Sequence, residues 1–187
     1  METTKYLDDE LKNFIVNVGW THKIQICQSD IYIEYTKKLK WVKIVLTSLT
    51  SVGLGSFLLK ISSDFQNISM ILTFALSLSM TIVVALDKEN DYKELANQNK
   101  LAADKFLEIR EKALELLYEL NMGKDADVIQ QEFKELKEVR NQENSMLPHT
   151  SLEAVEVASI KIKDKRDNDY SEDYEYFIPK NLRNLED

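Results

Sequence analysis

Cysteine, proline and glycine are all scarce in this chain of 187 residues, which has one Cys, two Pro and four Gly. A single thiol, Cys27, excludes an internal disulfide framework and a thiolate metal cluster, and it suits a reducing cytoplasm. So few turn formers exclude an all-β fold rich in hairpins, and they make all-α the expected class. Histidine is nearly missing as well. His22 and Cys27 lie about 140° apart around a helix, which does not converge them on one metal, and His149 is remote in sequence. The chain also lacks a phosphate loop, a G-x-S-x-G elbow and an H-E-x-x-H helix, so neither an enzyme nor a cofactor is expected. Its many Asp and Glu alternate with Lys, as solvated i,i+4 pairs do. A net charge of -8 argues against a nucleic-acid partner. The amino-terminal METTKYLDDELKNF has neither the basic start nor the apolar core of a signal peptide, so no cleavage is expected there.

What the chain does have is a concentration of apolar residues between Val42 and Leu86. From Phe65 to Leu86 there are 22 residues without a charge, and ten of Leu, Ile, Val and Phe fall between Ile68 and Leu86. That is enough to cross a hydrocarbon core of about 30 Å, with a gain of a few kcal/mol and no ionised group opposing it. The preceding run, Ile44 to Leu59, is uncharged for 16 residues between Lys43 and Lys60. Those two lysines can snorkel to the headgroups, and Trp41 suits an interfacial aromatic position. All three are expected membrane-interface anchors. SSDFQN, Ser62 to Asn67, is the expected tight turn between two antiparallel spans. A competing reading, a buried hairpin inside a soluble helical protein, would need broad apolar faces on the flanking helices, and these show only narrow stripes.

Lys37, Lys38, Lys40 and Lys43 precede the first span while only Lys60 sits in the turn, which puts both termini in the cytoplasm. The expected division is a cytoplasmic helical segment over 1–41, a first span over 42–61, a non-cytoplasmic turn over 62–67 and a second span over 68–86. A cytoplasmic helical region over 87–163 and a flexible acidic tail over 164–187 follow. Within the spans, small and hydroxylated residues recur every fourth position: Thr47, Ser51 and Gly55, then Thr73, Ser77 and Thr81. Two readings stay open. Such faces join helices in lipid, or in an oligomer they line a wet pore. No Asp, Glu, Arg or His lies inside either span, so any pore would be poorly selective.

The flanks have helical periodicity. Leu11, Phe14, Ile15, Val18, Ile24, Ile31 and Tyr35 mark an entry helix with an interruption expected near Gly19. Leu95, Ala102, Phe106, Ile109, Ala113, Leu116, Leu117 and Leu120 mark an exit helix that continues the second span and ends at Gly123. Asp125 or Asp127 starts a shorter helix through Val128, Ile129, Phe133, Leu136 and Val139. Thr150 with Glu153 has capping-box spacing for a last helix to about Ile162. The apolar stripes should meet, so that the long flanking helices pack as a cytoplasmic bundle or stalk. FIPKNL, Phe177 to Leu182, is either a docking peptide or an ordinary disordered end.

The segment THKIQICQSDIYIEYTKKLKWVKIVLTSLTSVGLGSFL, followed by a second span and LANQNKLAADKFLEIREKALELL, resembles the SLATT family, the SMODS- and SLOG-associating two-transmembrane effectors. The resemblance rests on the pair His22 and Lys23, on Ala102, Ala103 and Phe106, and on Pro148, over most of Trp20 to about Ile162. It implies a multi-pass protein of the bacterial inner membrane that serves anti-phage defence. On this reading the chain oligomerises and permeabilises or depolarises that membrane, in abortive infection, when triggered. The implied partners are the lipid bilayer, further copies of the chain, and a nucleotide-signal synthetase, a signal sensor or a reverse transcriptase encoded beside it. A non-conducting membrane scaffold that recruits a cytosolic protein is the alternative.

Overall fold

The structure, a computed structural model, describes residues 2–58 and 63–167. All regular elements among them are helices: α1 (Glu2–Leu58), α2 (Ser63–Asn90), α3 (Tyr92–Asn121), α4 (Ala126–Ser145) and α5 (Leu152–Lys163). Lys60 and the segment 168–187, including Phe177 to Leu182, lie outside the described residues. Ser63 to Asn67 is helical, so most of the stretch expected as a turn is instead the first turn of α2. A Ser-Ser-Asp sequence starts helices as readily as it makes turns.

At about 1.5 Å per residue α1 is a rod of about 85 Å, and it runs unbroken through Gly19. One mid-helix glycine costs about 1 kcal/mol, which the packing of α1 on α3 outweighs. A Cβ at Gly19 would lie 3.7 Å from Cδ of Arg110 on α3.

The exit helix is broken where continuity was expected. Asp91 adopts a left-handed conformation, φ 35° and ψ 58°, ending α2 and capping α3 through its carboxylate, which accepts from the Glu94 N–H. The backbone bonds Asp91 N to Asp87 O and Leu95 N to Asp91 O persist at 3.1 and 3.0 Å, so the rod is bent and not severed. Asp is among the few residues that tolerate this conformation and is also a favoured N-cap, so KENDY supplies a bend that hydropathy alone does not reveal.

The other ends are sharply defined. α3 stops in a Schellman motif, with Gly123 at φ 89° and with Gly123 N–H to Leu120 O and Lys124 N–H to Glu119 O. Asp125 caps α4 through the Asp127 N–H. α5 is capped by Ser151, which accepts from Ala154 N–H, and Thr150 plays no such part.

α1 and α3 run antiparallel, and α4 turns back onto both. Leu7, Leu11, Phe14 and Val18 of α1 share one core with Phe106, Ile109, Ala113, Leu116 and Leu120 of α3 and with Ile129, Phe133 and Leu136 of α4. The α3 positions alternate steps of three and four, the spacing of knobs-into-holes packing. Phe14 and Phe133 meet edge to face at 5.1 Å and 89°. Lys137 caps the Phe133 ring at 4.4 Å and also pairs with Glu10 at 2.8 Å. Val128 and Val139 are exposed, since α4 is amphipathic and only its Ile129, Phe133 and Leu136 face turns inward.

Phe133 is 1% exposed at the junction of three helices. Phe133→Ala should lower stability by about 3–5 kcal/mol, read by denaturant or thermal unfolding in detergent, while Val128→Ala should change it by less than about 0.5 kcal/mol.

Candidate functional site

Two regions carry functional weight: the apolar segment of α1 and α2, and a layer of buried polar residues between α1 and α3 beyond it. In the apolar segment the large side chains point outward. Ile71 is 72% exposed and Phe74 71%, while the two residues of α2 that are buried, Ser69 and Thr73 at 9% each, are small and polar. A buried core hairpin would show the reverse. Among the described residues one helical run, Asn67–Asn121, is long and apolar enough to cross a membrane, its apolar part being α2.

The face of α2 that is least exposed steps through Ser69, Thr73, Leu76, Met80, Val83 and Asp87, alternating four and three. Residues spaced by four drift about 40° per step off such a line. Thr73 is therefore buried in the seam, whereas Ser77 and Thr81 are exposed on the outer surface, as are Thr47 and Ser51 of α1. The side chain at Gly55 lies outside the described set. Two of these outward hydroxyls bond within their own helices: Ser51 donates to Thr47 O at 2.9 Å and Thr81 to Ser77 O at 3.0 Å. At the end of the apolar segment nearer α3, Lys43 and Asp87 form an ion pair across the two helices. Trp41, just beside it, is 68% exposed.

Past Asp91 the seam becomes polar. Tyr92 stacks on Tyr32 at 5.8 Å and meets Tyr35 edge-on at 5.5 Å. Further along α1, Ser29 donates to Ala96 O at 2.8 Å and, one heptad on, His22 Nδ1 bonds Ala103 O at 2.9 Å. Each pair is seven residues from the next on both helices. A small residue suits the position opposite, because it lets the two backbones approach closely enough for a short hydroxyl or an imidazole to reach a helix carbonyl.

Gln25 and Gln28 tie the same part of α1 to the segment before α5. Gln25 Nε2 donates to Pro148 O at 3.3 Å, and Gln28 Oε1 accepts from Ser151 N–H at 2.6 Å. Two buried carbonyl oxygens, Gln25 Oε1 and Asn99 Oδ1, have no hydrogen-bond partner among the described residues. Each such atom costs about 1–3 kcal/mol, so the layer lowers the stability of the fold.

α5 lies on α1 over this layer. Ala154 and Ala158 pack on Cys27 with Trp20, Ile24 and Ile31 around them. Burial raises the Cys27 thiol above its ordinary pKa, against the pull of Lys161 and Lys23. Lys161 pairs with Asp30 at 3.2 Å and Lys23 with Asp167 at 3.0 Å. Burial opposes the Lys161 charge, but Asp30, Cys27 and Asp167 together raise its pKa. The Lys23 hydrogen bond lowers that of Asp167. Residues 164–167, expected within the flexible tail, are thus turned onto α1. No group of His, Cys, Asp and Glu that could hold a metal occurs among the described residues.

The chain matches the SMODS and SLOG-associating 2TM effector domain family 4 over residues 7–174. It belongs to that family. It is a membrane effector domain, all-helical in its described residues, and no curated protein and no solved structure matches it. The residues that carry the family resemblance in the sequence converge here in space: His22 on Ala103, Lys23 on Asp167, and the Pro148 carbonyl on Gln25. What sequence reasoning missed are Gln25, Gln28, Ser29 and Asn99, and the available signal was four amides and hydroxyls at positions where the heptad spacing calls for apolar residues.

Asp167 holds its lowered pKa only while docked on Lys23, so the contact stabilises the fold above the ordinary aspartate pKa of 3.8 and is lost as pH falls below it. Thermal unfolding should show the wild type more stable than Asp167→Asn at about pH 6, with the gap closing toward about pH 2.

Proposed function

We propose that this chain is a membrane effector of bacterial anti-phage defence, which crosses the inner membrane twice with both termini cytoplasmic and assembles into oligomers that permeabilise or depolarise it. The first span is the expected segment 42–61 and the second 68–86, and the pairing of α1 with α2 is then a transmembrane hairpin. Family membership supports the effector role in systems associated with SMODS and SLOG. The action is physical and not catalytic.

The observation that carries the assembly reading is the outward placement of Thr47, Ser51, Ser77 and Thr81. In a single chain the α1 and α2 seam does not use them, so they are free to meet another copy or, in a ring, water. Small and hydroxylated faces are the usual means by which helices associate in lipid, where no hydrophobic drive exists. The trigger is a nucleotide signal or a partner such as a synthetase, sensor or reverse transcriptase encoded nearby. It shifts the population toward the assembled state by binding that state more tightly.

A second reading keeps the same topology but makes the chain a non-conducting scaffold for a cytosolic partner. It is favoured by one observation: Ser51 and Thr81 already bond their own helices and need no water.

Leak of a small dye from liposomes separates the two. The pore reading expects leak from the triggered or overexpressed chain, and Ser77→Leu with Thr81→Val should reduce it at least about tenfold while insertion and oligomer size stay unchanged. Intact membrane potential and no leak would leave only the scaffold.

A further inference from the structure

The chain beyond α4 is held by small contacts. Leu147 packs against the core of α1, α3 and α4, and from Pro148 onward the chain lies mainly on α1. There the buried residues of α5 are two alanines, Ala154 and Ala158, which cover Cys27. The other contacts are polar: the Gln25 and Gln28 bonds, Lys161 to Asp30, Lys23 to Asp167, and the Tyr35 hydroxyl to Glu153 at 3.4 Å. Ion pairs this exposed add little, so α5 is bound far more weakly than α4.

One of these bonds competes with the seam beneath it. Gln25 lies three residues past His22 and Asn99 four before Ala103, so between the antiparallel pins the two fall in the same layer. In that layer Gln25 sends its amide N–H out to Pro148 O at 3.3 Å, and Asn99 sends its own back to Leu95 O at 2.8 Å. Gln25 Oε1 and Asn99 Oδ1 are left buried with no donor among the described residues. A Gln25 side chain released from Pro148 has an N–H to give to Asn99 Oδ1, which satisfies that oxygen. We propose that the segment 148–167 is a strap that opens in the otherwise folded chain, hinged after Leu147, with Gln25 changing partner from Pro148 O to Asn99 Oδ1. Opening uncovers Trp20, Ile24, Cys27 and Ile31, an apolar strip of α1 whose steps of four and three match those of a helix seam. The strap gives a signal or partner a weak contact to displace, and its opening does not depend on the pore reading.

Cys27, the one cysteine of the chain, reports the opening, since Ala154 and Ala158 cover it. The full chain in detergent is treated with N-ethylmaleimide and its labelling followed by mass spectrometry. A Cys27→Ser, Ala113→Cys chain, whose thiol lies in the core of α1, α3 and α4, is treated alongside, and each rate is referred to that of the unfolded chain. Cys27 should label at least about tenfold faster than position 113, because local opening needs less free energy than opening of the core. Asn99→Leu takes away the acceptor to which Gln25 turns. It should slow Cys27 labelling about tenfold relative to position 113 in the same variant, the scale of one or two hydrogen bonds. Should Asn99→Leu fail to fold, Asn99→Ala carries the same expectation. Equal rates at positions 27 and 113 overturn the strap. Faster labelling of Cys27 that the Asn99 variant leaves unchanged overturns the change of partner.

Discussion

The antiparallel seam of α1 and α3, pinned by His22 to Ala103 O and by Ser29 to Ala96 O, is the constraint on which the other contacts depend. Apolar stripes alone allow two helices to slide by a heptad at small cost. A polar side chain that finds its carbonyl in only one register removes that freedom, as single polar positions do in coiled coils. Because the pins lie seven residues apart on both helices, they fix the register of α1 against α3. They also bring Lys43 beside Asp87 where the apolar segments begin. The spatial relation of α1 and α2 is thus set outside the segment where hydrophobicity can no longer discriminate between neighbours.

The polar layer is costly, and its location suggests what it is for. Gln25 and Gln28 reach the segment leading into α5, and α5 covers Cys27 with two alanines and charged ends. Contacts of this kind are specific but weak. Small side chains bury little area, and exposed ion pairs are worth at most about 1 kcal/mol. The upper core around Phe14, Phe106 and Phe133 is by contrast broad and apolar. The helical region outside the apolar segment therefore has a firm end, where α4 packs, and a looser end beside the apolar segment, where α5 docks and where Asp91 bends the exit helix.

Much of this was legible in the chain. Scarce Gly and Pro gave the all-helical class, uncharged length gave the apolar segments, and Gly123 and Asp125 gave the turn between α3 and α4. The departures have local causes. Gly19 does not interrupt α1, because packing against Arg110 and its neighbours outweighs one glycine. Asp91 does interrupt the exit helix, because its side chain caps from a conformation that hydropathy does not register. The hydroxyl stripe was visible, but its facing was not: a four-residue spacing drifts away from a seam that alternates three and four, so Thr73 is buried while Ser77 and Thr81 are not. The polar layer escaped notice because Gln25, Gln28 and Asn99 resemble solvated positions until the partners across the seam are known.

The central claim is that the chain from Val42 to Leu86 crosses a bilayer twice and returns to its starting side. Single cysteines placed in a Cys27→Ser background at Tyr6, Ser62 and Val139 test it most directly, with a membrane-impermeant maleimide applied to right-side-out and inverted vesicles. The account predicts labelling of position 62 only from the periplasmic face and of positions 6 and 139 only from the cytoplasmic face. Labelling of all three from one face, or a chain that stays in the soluble fraction without detergent, would contradict it.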